Sequence, residues 1–405
     1  MEKNLFMTEA QALAEANRCL HCYAAPCKSS CPAGVDVPRF IGRIATRDWV
    51  GAAETIRESN PLGLVCGLVC PSAELCRRDC NCGKLGESIR ISELQAYAMR
   101  KAVERGDGLP QQSVANGKRV AVIGGGPSGV VAAALLPAKG YGVTLFEKAD
   151  HLGGVPMDEI PNERLDKALF RREIEQLLSG GVDVQLNSAI DAARAARINE
   201  TYDAVYLACG LGEPNRSFAA QARGCMSAEA FLRLANAGGC RDVSGTVIVQ
   251  GGGNTAIDAA VTAKKLGAER AILCYRRSQR EMPAWADEMV LAVQAGVEFL
   301  FQTQVLGVVE RDGAVTGVTL APVALGEADA SGRRRPIVRE DARYTREAAL
   351  VLTATGKSRG DGWADAFDAA KLFVGGDAAN GGATVVQAVA EAKAAVAAID
   401  EKLNA

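Results

Sequence analysis

Cysteine side chains offer the clearest chemistry in this sequence, because nine of the thirteen lie within residues 19–82. Thiolates that converge from short loops can ligate iron or zinc, since the metal neutralises their charge. The spacing CxxCxxxxCxxxCP in the first run is typical of iron–sulfur sites, and structural zinc on four cysteines is the alternative. Both runs are large enough for a metal site. The first contains Cys19, Cys22, Cys27 and Cys31, and the second contains Cys66, Cys70, Cys76, Cys80 and Cys82.

Two glycine-rich turns could bind the pyrophosphates of two dinucleotides. Each turn follows a short apolar strand and opens a helix, where glycine allows a tight turn and a close approach of phosphate to backbone amides. Two such turns in one chain predict two dinucleotide-binding units that exchange hydride between two cofactors. The turns contain Gly124, Gly126 and Gly129 in the first copy and Gly251, Gly253 and Ala256 in the second.

The second strand of each unit ends in different side chains. The first ends in Glu147, a carboxylate that can accept hydrogen bonds from ribose hydroxyls. The other ends in Arg276 and Arg277, with Arg280 one turn later. Guanidinium groups bind a 2′-phosphate bidentately, and a carboxylate would repel it. We therefore expect FAD in the first unit and NADP(H) in the second, with NAD(H) as the other possibility.

The other four cysteines are isolated, since none has a CxxC or CxxxxC neighbour of the kind that forms a redox disulfide. They are Cys209, Cys225, Cys240 and Cys274. Buried apolar packing is the favoured interpretation for each of them. Electrons are then expected to leave a flavin through the cysteine-rich N-terminal region.

The elements that position these residues predict an α/β protein with two Rossmann-like domains preceded by an all-helical iron–sulfur domain. The predicted domains are residues 1–110 for iron–sulfur, 119–240 with 345–405 for FAD, and 241–344 for NADP. Thr8 and Gln11 form a capping box before the first helix, and Pro137 is expected to kink or end the helix after the first glycine turn. A hairpin is expected at Asp312 and Gly313, and residues 331–340 read as a solvated charged loop or edge.

Composition excludes several classes of function. A net charge of −2 and a pI near 6.0 argue against nucleic acid and anionic membranes as partners. No segment has the length and apolarity of a membrane span or the pattern of a secretory signal, so we expect a cytoplasmic protein with reduced cysteines. The two histidines, His21 and His151, leave little for a Ser-His or Cys-His mechanism.

The whole chain resembles the flavin-containing small subunit of bacterial dihydropyrimidine dehydrogenase and, one step further off, the small subunit of glutamate synthase. The segments RCLHCYAAPCKSSCP, GAAETIRESNPLGLVCGLVCPSAELC and EKADHLGG carry the resemblance, which extends to GGATVVQAV. The spacing of Cys70 and Cys76 in CPSAELC favours the dihydropyrimidine type, because glutamate synthase subunits have a shorter gap. The chain departs from the family between Gly356 and Gly375, where a strand pair is usual and only a short charged segment is present.

This resemblance implies ligands for two 4Fe–4S clusters, FAD and NADPH, and no acid or base of the protein's own. One cluster would be held by Cys19, Cys22, Cys27 and Cys80, and the other by Cys31, Cys70, Cys76 and the amide of Gln95. FAD would bind at Gly124, Gly126, Gly129, Glu147, Gly154, Arg164, Gly376, Asp377 and Thr384. NADPH would bind at Gly251, Gly253, Asn254, Thr255, Arg276, Arg277 and Arg280. Cys66 matches a family cysteine that is not a ligand, and Cys82 has no assigned counterpart.

The function implied is that of an NAD(P)H-oxidising subunit that passes electrons through FAD and the clusters to a second polypeptide. That partner would be an FMN-containing, dihydroorotate dehydrogenase-like subunit, which reduces uracil or thymine. The alternative acceptors are those of glutamate synthase, of a ferredoxin-type reductase or of an electron-bifurcating complex. A third hypothesis is a zinc-stabilised flavin-binding protein without electron transfer through the chain.

Overall fold

The computed structural model describes residues 5–108, 113–212, 214–215, 222–240, 242–328, 332–358 and 362–405. Residues 109–112, residue 331 of the charged stretch and residues 359–361 of the shortened segment therefore lie outside the described residues. The chain divides into two compact units. The first comprises Met1–Met157, Asn162–Gly212 and Arg359–Ala405, and the second comprises Asp158–Pro161 and Glu213–Ser358.

Described residues 5–108 are helical, with no strand among them, as predicted; we call residues 5–105 the cysteine head. Its helices are α1 (Glu9–Ala16), α2 (Pro26–Ser29), α3 (Val37–Ala45), α4 (Trp49–Arg57), α5 (Gly63–Val69) and α6 (Ile91–Arg105). The predicted capping box is confirmed, because the Thr8 hydroxyl accepts from the Gln11 amide and the Gln11 side chain accepts from the Thr8 amide. This reciprocal pair fixes the start of α1.

The remaining elements alternate in the pattern of two dinucleotide folds. The helices are α7 (Pro127–Leu135), α8 (Gly154–Asp158), α9 (Lys167–Leu178), α10 (Ala192–Thr201), α11 (Ala228–Asn236), α12 (Asn254–Lys265), α13 (Ala286–Gln294), α14 (Asp377–Asn380) and α15 (Val385–Asn404). The first strands are β1 (Arg119–Ile123), β2 (Gly142–Phe146), β3 (Val182–Gln185), β4 (Ala204–Leu207), β5 (Cys225–Ser227), β6 (Thr246–Gly251) and β7 (Arg270–Tyr275). The later strands are β8 (Glu298–Phe301), β9 (Thr303–Arg311), β10 (Ala314–Ala328), β11 (Arg334–Val338), β12 (Tyr344–Glu347), β13 (Leu350–Ala354) and β14 (Leu372–Val374).

Helix α5 was not predicted from the sequence. Six of its seven residues are buried, so the segment shows no amphipathic period. Its own N-cap residue, Leu62, provides no side-chain hydrogen bond. The cap comes instead from Glu173 of α9, whose carboxylate accepts from the amides of Leu64 at 2.7 Å and Val65 at 3.2 Å. A partner more than 100 residues away in sequence therefore completes this helix.

The first parallel sheet lies in the first unit, with strand order β14-β4-β1-β2-β3. Strand β4 and all of β1 after Arg119 are buried, as expected for a parallel sheet covered on both faces. Helix α7 packs on β1, β2 and β4, and α15 packs on α7. The predicted early end of the first helix is confirmed, because α7 ends at Leu135 and a 3₁₀ helix begins at Pro137.

The second parallel sheet lies in the second unit, with strand order β5-β13-β6-β7-β8. Because β5 and β13 are strands of this sheet, residues 213–240 and 345–358 belong to the second unit. The contact boundaries thus fall at 212/213 and 358/359, and the predicted domain boundaries lie at 240/241 and 344/345. The three-domain division stays a prediction, and the first unit contains the cysteine head and the first parallel sheet.

An antiparallel sheet covers one face of the second parallel sheet. Its path is β11-β10-β12, with β9 also paired to β10. The predicted hairpin at Asp312 and Gly313 is confirmed, and both residues have positive φ. Residues 334–338 form the edge strand β11. In the described part of the chain, no helix combines the length and apolarity needed to cross a membrane.

Candidate cofactor sites

The first glycine turn joins β1 to α7. A Cβ atom at Gly129 would lie 1.8 Å from the Gly124 carbonyl oxygen, and one at Gly124 would lie 2.4 Å from the Ala208 carbonyl oxygen. A Cβ at Gly126, by contrast, would meet nothing within 4 Å. The outer two glycines are thus required by packing, while the middle one faces open space. This arrangement fits a pyrophosphate that approaches the turn at the start of α7.

Glu147 follows β2 and holds this turn. One carboxylate oxygen accepts from the Gly125 amide at 2.6 Å, and the other accepts from the Ala149 amide at 2.7 Å. The carboxylate therefore lies beside the turn, the position expected of a residue that accepts hydrogen bonds from ribose hydroxyls. Tyr206, which the sequence did not single out, donates to or accepts from Ser128 at 2.6 Å beneath the turn. Burial raises the pKa of Tyr206 to about 12, so the phenol stays neutral.

The other predicted FAD residues approach the same turn from two sides. A Cβ at Gly154 would lie 3.0 Å from Gly126 Cα, and one at Gly376 would lie 2.9 Å from Ser128 Cβ. Asp377 follows directly, and one of its carboxylate oxygens accepts from the Ala383 amide at 3.1 Å.

Two further predicted FAD residues have other described surroundings. Thr384 caps α15 through a hydrogen bond from the Gln387 amide at 3.2 Å. Arg164 is half-buried and lies between α8 and α9 in the sequence. The assignment of these residues to FAD stays a prediction.

The second glycine turn joins β6 to α12 and repeats the first. A Cβ at Gly251 would lie 2.4 Å from the Ala354 carbonyl oxygen, while one at Gly253 would meet nothing within 4 Å. The third position holds Ala256, which is fully buried. Asn254 accepts from the Trp285 amide at 3.0 Å. The open middle glycine again fits a pyrophosphate.

A cavity of about 350 Å³ lies over this turn. Five of the residues predicted to bind NADPH line it: Gly251, Gly253, Thr255, Arg276 and Arg277. Two buried acceptors also line it: Gln250 and Glu229 each have one oxygen without a hydrogen-bond partner. Burial raises the pKa of Glu229. The cavity thus combines basic side chains with acceptors that a ligand could satisfy.

The predicted arginines are not equivalent. Arg280 lies on a 3₁₀ helix, Gln279–Glu281, and is not among the residues that line the cavity. Arg333, from the stretch interpreted as solvated, is exposed as expected and also lines the cavity. The basic run was the only sequence signal for Arg333. The position of the hairpin beside the second glycine turn is what shows that this residue lines the cavity.

The thiols of the first predicted cluster lie near one another. Burial, followed by the neighbouring thiolates of Cys80 and Cys19, raises the pKa of Cys27 to about 11. Burial also raises the pKa of Cys19, with contributions from Cys82, Cys80 and Cys22. Asn81 donates to the Cys22 sulfur at 3.4 Å. The electrostatic neighbours of Cys19 and Cys27 thus come from both cysteine runs, and they include Cys82 as well as the predicted ligand Cys80.

The thiols of the second predicted cluster also lie near one another. Burial, followed by the thiolates of Cys31 and of Cys27 from the first group, raises the pKa of Cys76 to about 12. The pKa of Cys70 is raised first by a hydrogen bond with Cys66, then by burial and by Cys76 and Cys31. Gln95 is buried on α6, and its amide nitrogen donates to the Gly63 carbonyl at the start of α5 at 2.8 Å. The amide oxygen of Gln95 takes no part in this bond.

Two cysteines of the head are not needed for these groups. Cys82 is buried and donates to the Arg18 carbonyl at 3.3 Å, and Cys66 is buried within α5. Within the described residues, no three or more His, Cys, Asp or Glu side chains are arranged to hold a single metal ion. A 4Fe–4S cluster makes a different demand, because each ligand binds its own iron at a different corner. The assignment of cluster ligands stays a prediction.

Two protein families match the chain. Residues 1–107 match a family described as dihydropyrimidine dehydrogenase domain II, 4Fe-4S cluster. Residues 118–392 match the family described as pyridine nucleotide-disulphide oxidoreductase, and residues 86–224 match it separately. The chain belongs to the pyridine nucleotide-disulphide oxidoreductase family. This family member is an NAD(P)H-dependent oxidoreductase with an N-terminal iron–sulfur domain, as predicted, and the two matches imply iron–sulfur, FAD and NAD(P)H as cofactors.

Curated relatives are similar over most of the chain. The NADP(+)-dependent formate dehydrogenase subunit beta of Moorella thermoacetica is 32% identical over 94% of this chain, which spans only 60% of that protein's length. The NAD-dependent dihydropyrimidine dehydrogenase subunit PreT of Salmonella typhimurium is 32% identical over 98% of this chain and 95% of its own. The glutamate synthase [NADPH] small chain of Escherichia coli is 32% identical over 96% of this chain and 90% of its own. The resemblance predicted from the sequence is confirmed.

A solved structure shows the same fold in the dinucleotide-binding part of this oxidoreductase. Mycobacterium tuberculosis FprA, solved in complex with NADPH, has a TM-score of 0.55 with 16% identity. The match covers 71% of this chain and 84% of that one. At this identity the likeness concerns the fold alone, and it supports the predicted pair of Rossmann-like domains.

Proposed function

We propose that this protein is the electron-input subunit of a larger complex, taking electrons from NAD(P)H and delivering them to a partner polypeptide through FAD and two 4Fe–4S clusters. The observation that carries the proposal is the pairing of two similar glycine turns with two cysteine neighbourhoods in one chain. When bound, the nicotinamide and flavin exchange electrons in pairs and the clusters pass them singly. The residues of the chain bind and orient these groups, and none is required as an acid or base.

The contacts inside the first unit suggest the order of the cofactors. Lys393 of α15 donates to the carbonyls of Ala33 at 3.2 Å and Ser59 at 2.8 Å, beside Cys31. Glu173 of α9 caps α5, which ends one residue before Cys70. Both links join the flavin-binding fold to the neighbourhood of Cys31, Cys70 and Cys76. We assign this group as the first cluster to receive electrons and the group of Cys19, Cys22, Cys27 and Cys80 as the one that delivers them.

The acceptor that we favour is a dihydropyrimidine dehydrogenase type of partner. The support is the CPSAELC spacing between Cys70 and Cys76 and the relative of that name, whose length this chain nearly fills. The partner would be an FMN-containing, dihydroorotate dehydrogenase-like subunit that reduces uracil or thymine. The second candidate is a glutamate synthase, since its small chain is equally similar over nearly its whole length. A ferredoxin-type or bifurcating acceptor is the third.

The decisive experiment isolates the native complex through a tag on this chain and identifies the co-purifying subunit. Iron, acid-labile sulfide and FAD are then quantified, and NADPH and NADH oxidation is followed with uracil or with 2-oxoglutarate plus glutamine. Uracil-dependent oxidation supports the favoured acceptor, and glutamate formation supports the second. A chain that contains zinc without sulfide, or that oxidises neither coenzyme with ferricyanide, would overturn the electron-input role itself.

A further inference from the structure

The basic residues at the start of β11, which pairs with β10 in a hairpin, reach the coenzyme cavity through Arg333. Arg333 lies just before β11 and lines the cavity together with Arg276, although the two are more than 50 residues apart in sequence. Both residues are exposed. Arg335, two residues further along the hairpin, is also exposed but does not line the cavity. The cavity therefore receives one specific arginine of the basic run.

Two interactions fix the hairpin in this place. The Arg277 guanidinium donates to the Arg334 carbonyl at 2.7 Å, and the Arg334 guanidinium pairs with Glu281 at 2.5 Å. Glu281 also accepts from the amide of Ser278 at 3.1 Å. The segment that follows β7 is thus tied to the base of the hairpin by a carbonyl and a carboxylate. These bonds orient Arg333, the residue immediately before Arg334.

Arg277 differs from its neighbour Arg276. Its side chain is only 5% exposed, and one guanidinium nitrogen is used to hold the hairpin. Arg276 is exposed at the cavity, and Arg280 does not line it. Of the three arginines that the sequence predicted for the 2′-phosphate, Arg276 is thus the one that both lines the cavity and is exposed to solvent. A phosphate dianion is commonly held by more than one cation, which leaves room for a second guanidinium.

We propose that Arg333 is a specificity residue that binds the 2′-phosphate of NADPH together with Arg276, while Arg277 is a positioning residue that acts through Arg334. The proposal rests on the proposed function, which requires a pyridine nucleotide in this cavity. It deepens that function by selecting NADPH over NADH. The relatives differ on this point, since their names include both NAD-dependent and NADPH-dependent proteins.

The test measures binding of 2′,5′-ADP and of 5′-AMP to the purified full-length chain by calorimetry. These probes share the adenosine and 5′-phosphate and differ only in the 2′-phosphate. The variants are Arg333→Ala, Arg333→Lys and the matched control Arg335→Ala, which removes the same charge from the same hairpin. Flavin content and circular dichroism check that each variant is folded. The KM values for NADPH and NADH provide a second measurement.

We expect Arg333→Ala to weaken 2′,5′-ADP about tenfold, as the loss of one charge-assisted pair would. Binding of 5′-AMP should be unchanged, Arg333→Lys should be intermediate, and Arg335→Ala should match the wild type. Equal losses in Arg333→Ala and Arg335→Ala would overturn the proposal, because general charge would then be the cause. If the wild-type chain binds 5′-AMP and 2′,5′-ADP with equal affinity, the specificity proposal is overturned but the proposed function is not. Binding of neither probe would overturn the proposed function as well.

For Arg277, the test is whether its effect passes through the hairpin. Arg277→Lys keeps the charge and loses the planar guanidinium that reaches the Arg334 carbonyl. We expect it to weaken 2′,5′-ADP by severalfold in the wild-type background and to have little further effect in Arg333→Ala. Additive losses in the double variant would show that Arg277 contacts the phosphate itself, and would overturn the positioning role.

Discussion

The two dinucleotide folds and the cysteine head are built by different means. Each glycine turn is completed by residues close to it in sequence or on the adjoining strands of its own sheet, such as Glu147 at Gly125. The cysteine head instead depends on partners far along the chain, because Glu173 caps α5 and Lys393 binds the loop carbonyls near Cys31. Local patterns therefore specify the nucleotide sites, whereas the geometry of the cysteine head is completed only by the flavin-binding fold.

The sharpest test of the cysteine head compares two adjacent cysteines. We expect Cys80→Ala to lose about half of the iron and sulfide, because Cys80 is a predicted ligand of one of two clusters. Cys82→Ala should keep both clusters, since its thiol donates to the Arg18 carbonyl. Iron and sulfide analysis with low-temperature electron paramagnetic resonance of the reduced protein measures the difference. Equal cluster loss in both variants would contradict the predicted grouping.

The glycine turns can be broken without touching the cysteine head. Gly129→Ala should destabilise the chain by about 3 kcal/mol and lower the FAD content, because the new Cβ would meet the Gly124 carbonyl oxygen. Gly126→Ala should leave the thermal midpoint near that of the wild type and weaken only FAD binding, since its Cβ meets open space. Thermal unfolding and flavin release are measured together. If Gly126→Ala were the less stable variant, the packing roles of the two glycines would be reversed.

The link between the regions can be tested through pH. Burial raises the pKa of Glu173 from 4.5 to about 7. The folded chain therefore holds this proton to higher pH than the unfolded chain does. The contribution of Glu173 to the free energy of unfolding is fully present below pH 4.5 and is lost as pH rises through about 7. Between pH 5 and 8 we expect a loss of about 2 kcal/mol from this group.

Glu173→Gln removes the titration and keeps a side chain of the same size. Its thermal midpoint should fall less than that of the wild type over this pH range, whatever its absolute value. Glu175→Gln, an exposed residue on the same helix, is the matched control and should follow the wild type. Parallel pH profiles for wild type and Glu173→Gln would show that the buried carboxyl does not titrate in this range.

The same contrast explains what could be predicted from the sequence. The glycine turns, the end of α7 before Pro137 and the hairpin at Asp312 follow from local backbone preferences, and the structure has them. Helix α5 was missed because an apolar segment without its own cap shows no helical period. The extent of the second contact unit could not be predicted, because the pairing of β5 and β13 in its sheet is not a local property.

The cofactor residues show the same limit. Spacing alone left the cysteine ligands open, and the crossed grouping came from the resemblance to a known family. Arg333 was interpreted as solvated and is exposed, and only its place beside the second glycine turn shows that it also lines the cavity. Residues that converge from distant elements are thus the ones that sequence patterns miss.

The cap on α5 also bears on how the protein is made. A nascent chain emerges with its N-terminal end first, so the cysteines of the head leave the ribosome before Glu173 is synthesised. Until then the helix that leads to Cys70 has two backbone amides without their carboxylate partner. We therefore expect the cluster predicted for the second cysteine neighbourhood to be loaded after the flavin-binding fold begins to form, which would tie metal insertion to the synthesis of that fold.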